Sequence, residues 1–220
     1  MNIQKGKTEF LMGIDKVDQL KTWLNEHPFI NGIAFVGRSN VGKSSLINSL
    51  FGKATARVSK TPGRTRQVNI FNFIVEDREK KTIENFYLFD VPGYGHADVS
   101  KEMAANWQQL LDNFFQLCSQ KILLLNIQDA RHPLQEPDVL FQKYIHSFNL
   151  ETYVLFNKID KLKTQSERSR LKNLMPSIYK EFSWVKQIHF VSAEKGDNLD
   201  KVEQSIISFV KRNSDMQGYI

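Results

Sequence analysis

The sequence predicts an α/β domain with three layers: an open, mostly parallel sheet, one antiparallel strand, and helices on both faces. Three observations carry this. Short apolar runs alternate with amphipathic segments of helical period along most of the 220 residues. One pair of runs, 67–76 and 83–89, is joined only by the polar turn Asp77-Arg78-Glu79-Lys80, which makes a hairpin and so one antiparallel strand. A glycine-rich loop stands between the apolar run Ile33-Ala34-Phe35-Val36 and the helical run Ser45-Leu46-Ile47-Asn48-Ser49-Leu50. That is the order strand, loop, helix.

Each element follows from its residues. Residues 1–30 read as an N-terminal extension packed on the core. Within it, 8–12 forms a short strand, and Asp15 caps a helix with Val17, Leu20, Trp23 and Leu24 on one face. Pro28 ends that helix. The extension is expected to cover a sheet edge. The main domain spans 31–213, and a short tail, 214–220, frays from Asn213 onward. The stretch 52–66 mixes glycine, proline, hydroxyl and basic residues, a loop long enough to be functional. In the hairpin, Val68, Ile70 and Asn72 share one face, and Phe71, Phe73 and Val75 the other. Ser100 is placed to cap a helix carrying Met103, Trp107, Leu110, Leu111, Phe114 and Cys118 at helical spacing. A buried strand, 122–127, follows. Pro133 and Pro137 flank the start of a helix with Leu140, Phe141, Tyr144, Ile145 and Phe148. A strand at 152–156, a charged helix at 165–172 interrupted near Pro176, and a last strand at 187–191 complete the sheet. Asp197 or Asn198 starts the final helix, with Leu199, Val202, Ile206 and Val210 inward.

Composition bounds the class. Charged residues are 25% and hydrophobic ones 41%, with sixteen Phe, so there is apolar material for a sizeable core. No apolar run approaches the ~18 residues that span a bilayer, and the start of the chain lacks a small-residue cleavage site. The single cysteine, Cys118, cannot form an intrachain disulfide and reads as a small buried hydrophobe. A cytoplasmic location is expected. The formal charge of +6 favours a polyanionic partner.

The chemistry concentrates at strand ends, where ligands of such sheets bind. Gly37-Arg38-Ser39-Asn40-Val41-Gly42-Lys43-Ser44 fits G-x-x-x-x-G-K-[ST], the phosphate-binding P-loop. Gly37 and Gly42 are expected to permit backbone angles that a Cβ would penalise. Loop N–H groups and the helix dipole then face phosphate oxygens. Lys43 reaches the β- and γ-phosphates, and the Ser44 hydroxyl can ligate Mg²⁺. Asn157-Lys158-Ile159-Asp160 is N-K-x-D. The Asp160 carboxylate can accept from N1–H and the 2-amino group of guanine, donors that adenine lacks at those positions. A lost charge-assisted bond is worth roughly 1.5–3 kcal/mol, enough to discriminate. Asn157 is expected on the base edge, the Lys158 stem along the ring, and Ser192-Ala193 as the source of an N–H for guanine O6. Asp90-Val91-Pro92-Gly93 is D-x-x-G, with Asp90 toward Mg²⁺ through a water and the Gly93 N–H toward the γ-phosphate. Thr65 is a candidate second Mg²⁺ ligand, with Thr55, Ser59 and Thr61 competing for that role.

GRSNVGKSSLIN, KTPGRTRQVNIF, DVPGYG and the following VSKE-W run resemble the EngB (YihA/YsxC) family of bacterial TRAFAC-class GTPases over nearly the whole chain. The resemblance implies a Ras-like G domain, Mg²⁺-dependent GTP binding and hydrolysis, assembly of the large (50S) ribosomal subunit, and a requirement in cell division and septation. It places GTP contacts on Gly37, Arg38, Ser39, Asn40, Val41, Gly42, Lys43 and Ser44, and on Gly63, Arg64, Thr65, Arg66 and Gln67. It adds Asp90, Val91, Pro92 and Gly93, then Asn157, Lys158, Ile159 and Asp160, then Val191, Ser192 and Ala193. Mg²⁺ falls on Ser44 and Thr65. Two positions depart from the family's usual residues: Asn157, often Thr there, and His96, often Tyr.

Many GTPases orient the attacking water with a Gln just after D-x-x-G. This chain has Tyr94, which lacks that paired donor and acceptor, so slow intrinsic turnover is expected. Lys43, Thr65 and Asn40 are the candidate catalytic residues. Related GTPases with Asn at the Asn40 position bind K⁺ beside the phosphates, which makes K⁺ a candidate ion alongside Mg²⁺; the competing role for Asn40 is to cap the loop. Basic residues gather at Lys53, Arg57, Lys60, Arg64 and Arg66, and again at Lys161, Lys163, Arg168, Arg170 and Lys172. The expected partner is rRNA of the large subunit or its precursor, met by a monomer with no membrane contact. A P-loop ATPase or kinase and a non-hydrolysing RNA-binding adaptor are the competing readings.

Overall fold

The computed structural model describes residues 1–53, 55–56, 67–94 and 101–217. In chain order these form β1 (Asn2–Ile3), β2 (Glu9–Ile14), α1 (Val17–Glu26), β3 (Gly32–Gly37) and α2 (Lys43–Phe51). Then come β4 (Val68–Asp77), β5 (Thr82–Asp90), α3 (Lys101–Leu117), β6 (Ile122–Asp129) and α4 (Glu136–His146). The chain closes with β7 (Thr152–Asn157), α5 (Gln165–Asn173), α6 (Met175–Glu181), β8 (Val185–Phe190) and α7 (Leu199–Gln217).

All eight strands form one sheet in the order β1-β4-β5-β3-β6-β7-β8, with β2 also on β4. The strands β5, β3, β6, β7 and β8 run parallel. The hairpin makes β4 antiparallel to β5. The chain crosses from one side of β3 to the other after β5, so the carboxyl end of β3 is the topological switch point where ligands of such folds bind.

Alternation along the strands sorts the core into layers. Ile33 and Phe35 of β3 point to one face and join Leu46, Leu50, Val202 and Ile206 from α2 and α7. Ala34 and Val36 point to the other and join Leu20, Leu111, Phe114 and Ile145 from α1, α3 and α4. Every residue of β3 is buried, as a central parallel strand covered on both faces requires. The hairpin alternates as expected: Val68 and Ile70 enter one cluster, and Phe71, Phe73 and Val75 the other. A third cluster under α5 and α6 packs Leu171 and Ile178 on Val154 and Phe156.

The N-terminal residues cover the free edge of β4. There β2 pairs along Val68–Asn72, with an irregularity between Phe10 and Met12, and β1 pairs at Val75 and Glu76. Some boundaries differ from expectation. The N-cap of α1 is Lys16, not Asp15, and no side chain caps that helix. The break between α5 and α6 falls at Leu174, and Pro176 sits in the first turn of α6, where its missing N–H costs nothing. Helix α7 continues past Asn213 to Gln217, because Asn213 is buried and donates to Asn31 Oδ1 and the Lys121 carbonyl, each at 3.2 Å. The Ser100 cap lies outside the described residues. Cys118 is fully buried, and burial pushes its thiol up to about 12.

Candidate functional site

The loop from β3 to α2 is shaped by three residues. Gly42 is the N-cap of α2 with φ 92°, a left-handed conformation that a side chain would strain. Asn40 also adopts positive φ, 65°, so glycine is not the sole source of the turn. Gly37 has a different constraint from the one expected: a Cβ there would lie 2.5 Å from the Ile127 carbonyl, so close approach to β6, rather than a special φ, excludes a side chain. The D-x-x-G turn folds against this loop. The Val91 N–H donates to Phe35 O at 3.0 Å, Arg38 and Tyr94 form a short parallel bridge, and a Cβ on Gly93 would meet Gly37 O at 2.8 Å.

Lys43 pairs with Asp90, and both side chains are largely buried. A phosphate reaching Lys43 must compete with that carboxylate. Ser44 is half-buried in the first turn of α2. Thr55, one of the competing hydroxyls, donates to Gly52 O at 2.9 Å and is spent locally. Gln67 is exposed, and its side-chain oxygen lies over Gly13 of β2, toward the sheet edge. Gly63, Arg64, Thr65 and Arg66, together with Ser59, Thr61 and His96, lie outside the described residues.

A cleft of about 220 Å³ opens beside Gly42, lined by Ser45, Arg131, Asn157, Lys158, Asp160, Lys161, Ala193 and Glu194. The sequence reading gave Asn157 and Ala193 to the base. Both line the cleft, and both are also bonded within the protein: Asn157 Nδ2 donates to Val41 O at 2.9 Å, and the Ala193 N–H donates to Asn157 Oδ1 at 3.0 Å. The Asn157 side chain is thus a tie between the phosphate loop and the last loop. Lys158 is likewise a strut. With φ 71° it sends its ammonium to the Asn40 carbonyl and to Asp129 Oδ2, the latter at 2.9 Å. Val191 is buried and accepts from the Ile159 N–H at 3.2 Å, which sets the height of the 3₁₀ turn Ile159–Lys161.

Asp160 stands apart. Its Oδ1 accepts from Ser192 Oγ at 2.6 Å. Its Oδ2 is buried and has no hydrogen-bond donor, and Lys161 contributes charge from 3.3 Å. Burial pulls this carboxyl upward, but Ser192 and Lys161 outweigh it and hold it below its ordinary value. An ionised, geometrically unsatisfied oxygen on a cleft wall calls for an N–H donor from a ligand.

Tyr94 turns away from the phosphate loop into the core. Its ring stacks on Phe141 at 4.4 Å. Its hydroxyl donates to Asp138 Oδ1 and accepts from Asn126 Nδ2, both at 2.9 Å. Asp138 Oδ1 also accepts from Arg38 Nε at 2.9 Å. Burial pushes both Tyr94 and Asp138 upward, the Arg38 and Tyr94 bonds opposing the shift at Asp138. Among the residues that escaped the sequence reading are Asp129, Arg131 and Asp138, and the cleft-lining Ser45 and Glu194. The signal for Asp129 and Arg131 was Asp-x-Arg at the carboxyl end of 122–127, a strand whose end must face the same side as its neighbour β3.

The profile of the 50S ribosome-binding GTPases matches residues 32–158. The chain is 37% identical over 213 residues to a probable GTP-binding protein EngB of Francisella tularensis subsp. novicida, covering 94% of this chain and 98% of that protein. It is 34% identical to the one from Thermotoga petrophila, covering 84% and 90%. Among solved structures, Era in complex with MgGDPNP and nucleotides 1506–1542 of 16S ribosomal RNA is similar, with TM-score 0.62, 26% identity, and 82% and 56% of the two chains covered. A probable GTP-binding protein engB gives TM-score 0.56 at 22% identity over 82% and 99%, which speaks to the fold.

Proposed function

The chain belongs to the EngB family of GTP-binding proteins, and on that premise we propose that it binds GTP and GDP through Asp160, hydrolyses GTP slowly with Mg²⁺, and acts as a nucleotide switch in large-subunit assembly. The observation that carries the reading is the buried Asp160 Oδ2 on a cleft next to Gly42, paired in charge with Lys161 at 3.3 Å but without a well-aligned hydrogen bond. Guanine offers two N–H donors to a carboxylate there and adenine none. The phosphates would lie on 37–44, with Lys43 exchanging Asp90 for the ligand. Mg²⁺ would be held by the Ser44 hydroxyl, a hard oxygen, and by Asp90 through a water, with Thr65, outside the described residues, as the further ligand. A metal held there would supply positive charge to offset that of the nucleotide's phosphates.

Slow turnover is supported by Tyr94, whose hydroxyl is spent on Asp138 and Asn126 inside the core. It has no amide to offer a water. Asn40 is exposed at the loop corner, where K⁺ beside the phosphates would accelerate hydrolysis. Equal rates in K⁺ and Na⁺ would remove that part of the reading. The main domain runs from 31 to the end of α7 at Gln217, with 1–30 as an extension. The remaining reading is a cytoplasmic monomer that meets rRNA of the 50S subunit or its precursor through its basic surface, and is needed for normal septation. Among the described residues no helix is long and apolar enough to cross a membrane.

The deciding experiment is competition binding on the purified chain. GDP and GTP should displace a labelled guanine nucleotide, and ATP should not. Asp160→Asn should weaken GTP by tenfold or more and favour xanthosine triphosphate. Displacement by ATP at equal concentration would favour a P-loop ATPase or kinase. Capture of ribosomal particles that is the same with GDP and a non-hydrolysable GTP analogue would refute the switch. A chain that binds GTP but shows no single turnover, with or without large subunits, would be an adaptor.

A further inference from the structure

Asp129, the last residue of β6, gathers two cations. Its Oδ1 accepts from both the backbone N–H and Nε of Arg131, at 3.0 and 2.9 Å. Its Oδ2 accepts from an Arg131 terminal nitrogen at 2.7 Å and from Lys158 Nζ at 2.9 Å. The Ala130 N–H donates to Asn157 O at 2.8 Å, which fixes this turn to the N-K-x-D segment. Arg131 therefore cannot wander, although its side chain is 43% exposed and lines the cleft. Asp160 acts on its charge through space.

A guanidinium held along one edge by a carboxylate keeps its two flat faces out of those bonds. Such a group is suited to stack on a planar, electron-rich ring. We propose that Arg131 is a base-binding residue of this cleft, holding the purine by the face of its guanidinium while Asp160 reads the purine's edge. Asp129 is the positioning residue that sets the plane. This rests on the guanine reading above. It also gives Lys158 a second duty, since the same carboxylate that orients Arg131 anchors the Lys158 strut.

The test is calorimetric titration of GMP, GDP and GTP into the wild-type chain and into Arg131→Ala, Arg131→Met and Arg131→Lys, with folding checked by thermal melting. The exposed side chain can be shortened without opening the core. Ala and Met should each weaken all three nucleotides by about tenfold, the same factor regardless of phosphate number. Lys, which keeps the charge but not the plane, should fail to restore affinity. Asp129→Asn should reproduce the loss in part. A loss that grows from GMP to GTP would make Arg131 a phosphate contact and overturn the proposal, as would full rescue by Lys or unchanged affinity in Ala. If the wild-type chain itself bound no guanine nucleotide, the guanine reading would fall first and this inference with it.

Discussion

A primary amide can satisfy two backbone groups at once, and Asn157 does so across 116 residues to Val41 and 36 to Ala193. Asn157→Ala leaves a carbonyl and an N–H unpaired in a buried place, at roughly 1–3 kcal/mol each. Urea unfolding should register that loss, and GDP and GTP affinity should fall together because two walls of the cleft separate. A loss under about 0.5 kcal/mol would show that water replaces the tie. Asp129 gives a pH prediction. Burial raises its carboxyl, yet the bonds from Arg131 and Lys158 outweigh this and hold it well below the usual carboxylate range. Its contribution is present above the unfolded pKa of about 3.9 and is lost as pH falls from there through the lowered folded value. The melting-temperature gap between wild type and Asp129→Asn should therefore be constant from pH 7 to 5 and close below about pH 4; a gap that closed near pH 6 would contradict the assignment. The motif letters of N-K-x-D were plain in the sequence. The direction of the Asn157 amide was not, because spacing says which residues meet and not which partner each polar atom takes.

At the scale of elements, the phosphate loop, the D-x-x-G turn and α4 are joined by one buried chain of bonds. It runs from Arg38 to Asp138, from Tyr94 to Asp138, and from Asn126 to Tyr94, and Asn126 Oδ1 in turn accepts from Gln128 and Gln142 at 2.9 and 3.0 Å. Tyr94→Phe keeps the stack on Phe141 and removes one hydroxyl. It should cost about 1–3 kcal/mol, since Asn126 and Asp138 each lose a partner where water is scarce. Denaturant titration checks this, and an unchanged midpoint would mean the network is redundant. Alternation made the strands legible, and helical spacing made most of the core faces of α3, α4 and α7 legible, although Leu140 of α4, expected inward, is exposed. Helix ends were less so. Asp15 is a strong capping residue, but α1 begins one residue later with its N-cap at Lys16. The polar network was illegible because Asn126 and Gln128 belong to β6 and Asp138 and Gln142 to α4, and only the fold brings them together.

At the scale of the molecule, β1 and β2 close the outer edge of β4 along most of its length. Without them β4 would present a long row of unpaired backbone groups, a template for pairing between chains. Removing residues 1–14 should also expose surface now covered by Ile3 and Ile14, both buried. Such a chain should aggregate on warming, visible by light scattering, while the full chain stays dispersed; equal scattering would show that the edge is protected by other means. The first and last elements meet as well. The Ile3 N–H donates to Glu203 Oε1 at 2.9 Å, and Asn31 Nδ2 donates to Val210 O at 2.7 Å. Ser49 Oγ donates to Ala193 O at 2.8 Å, so α2 leans on a segment made much later in the chain. During synthesis, then, a nascent polypeptide could complete its first βαβ unit long before it had anywhere to seat a nucleobase. The last wall of the cleft would arrive only with the emergence of Ala193 and Glu194, and copies ending before them would lack it.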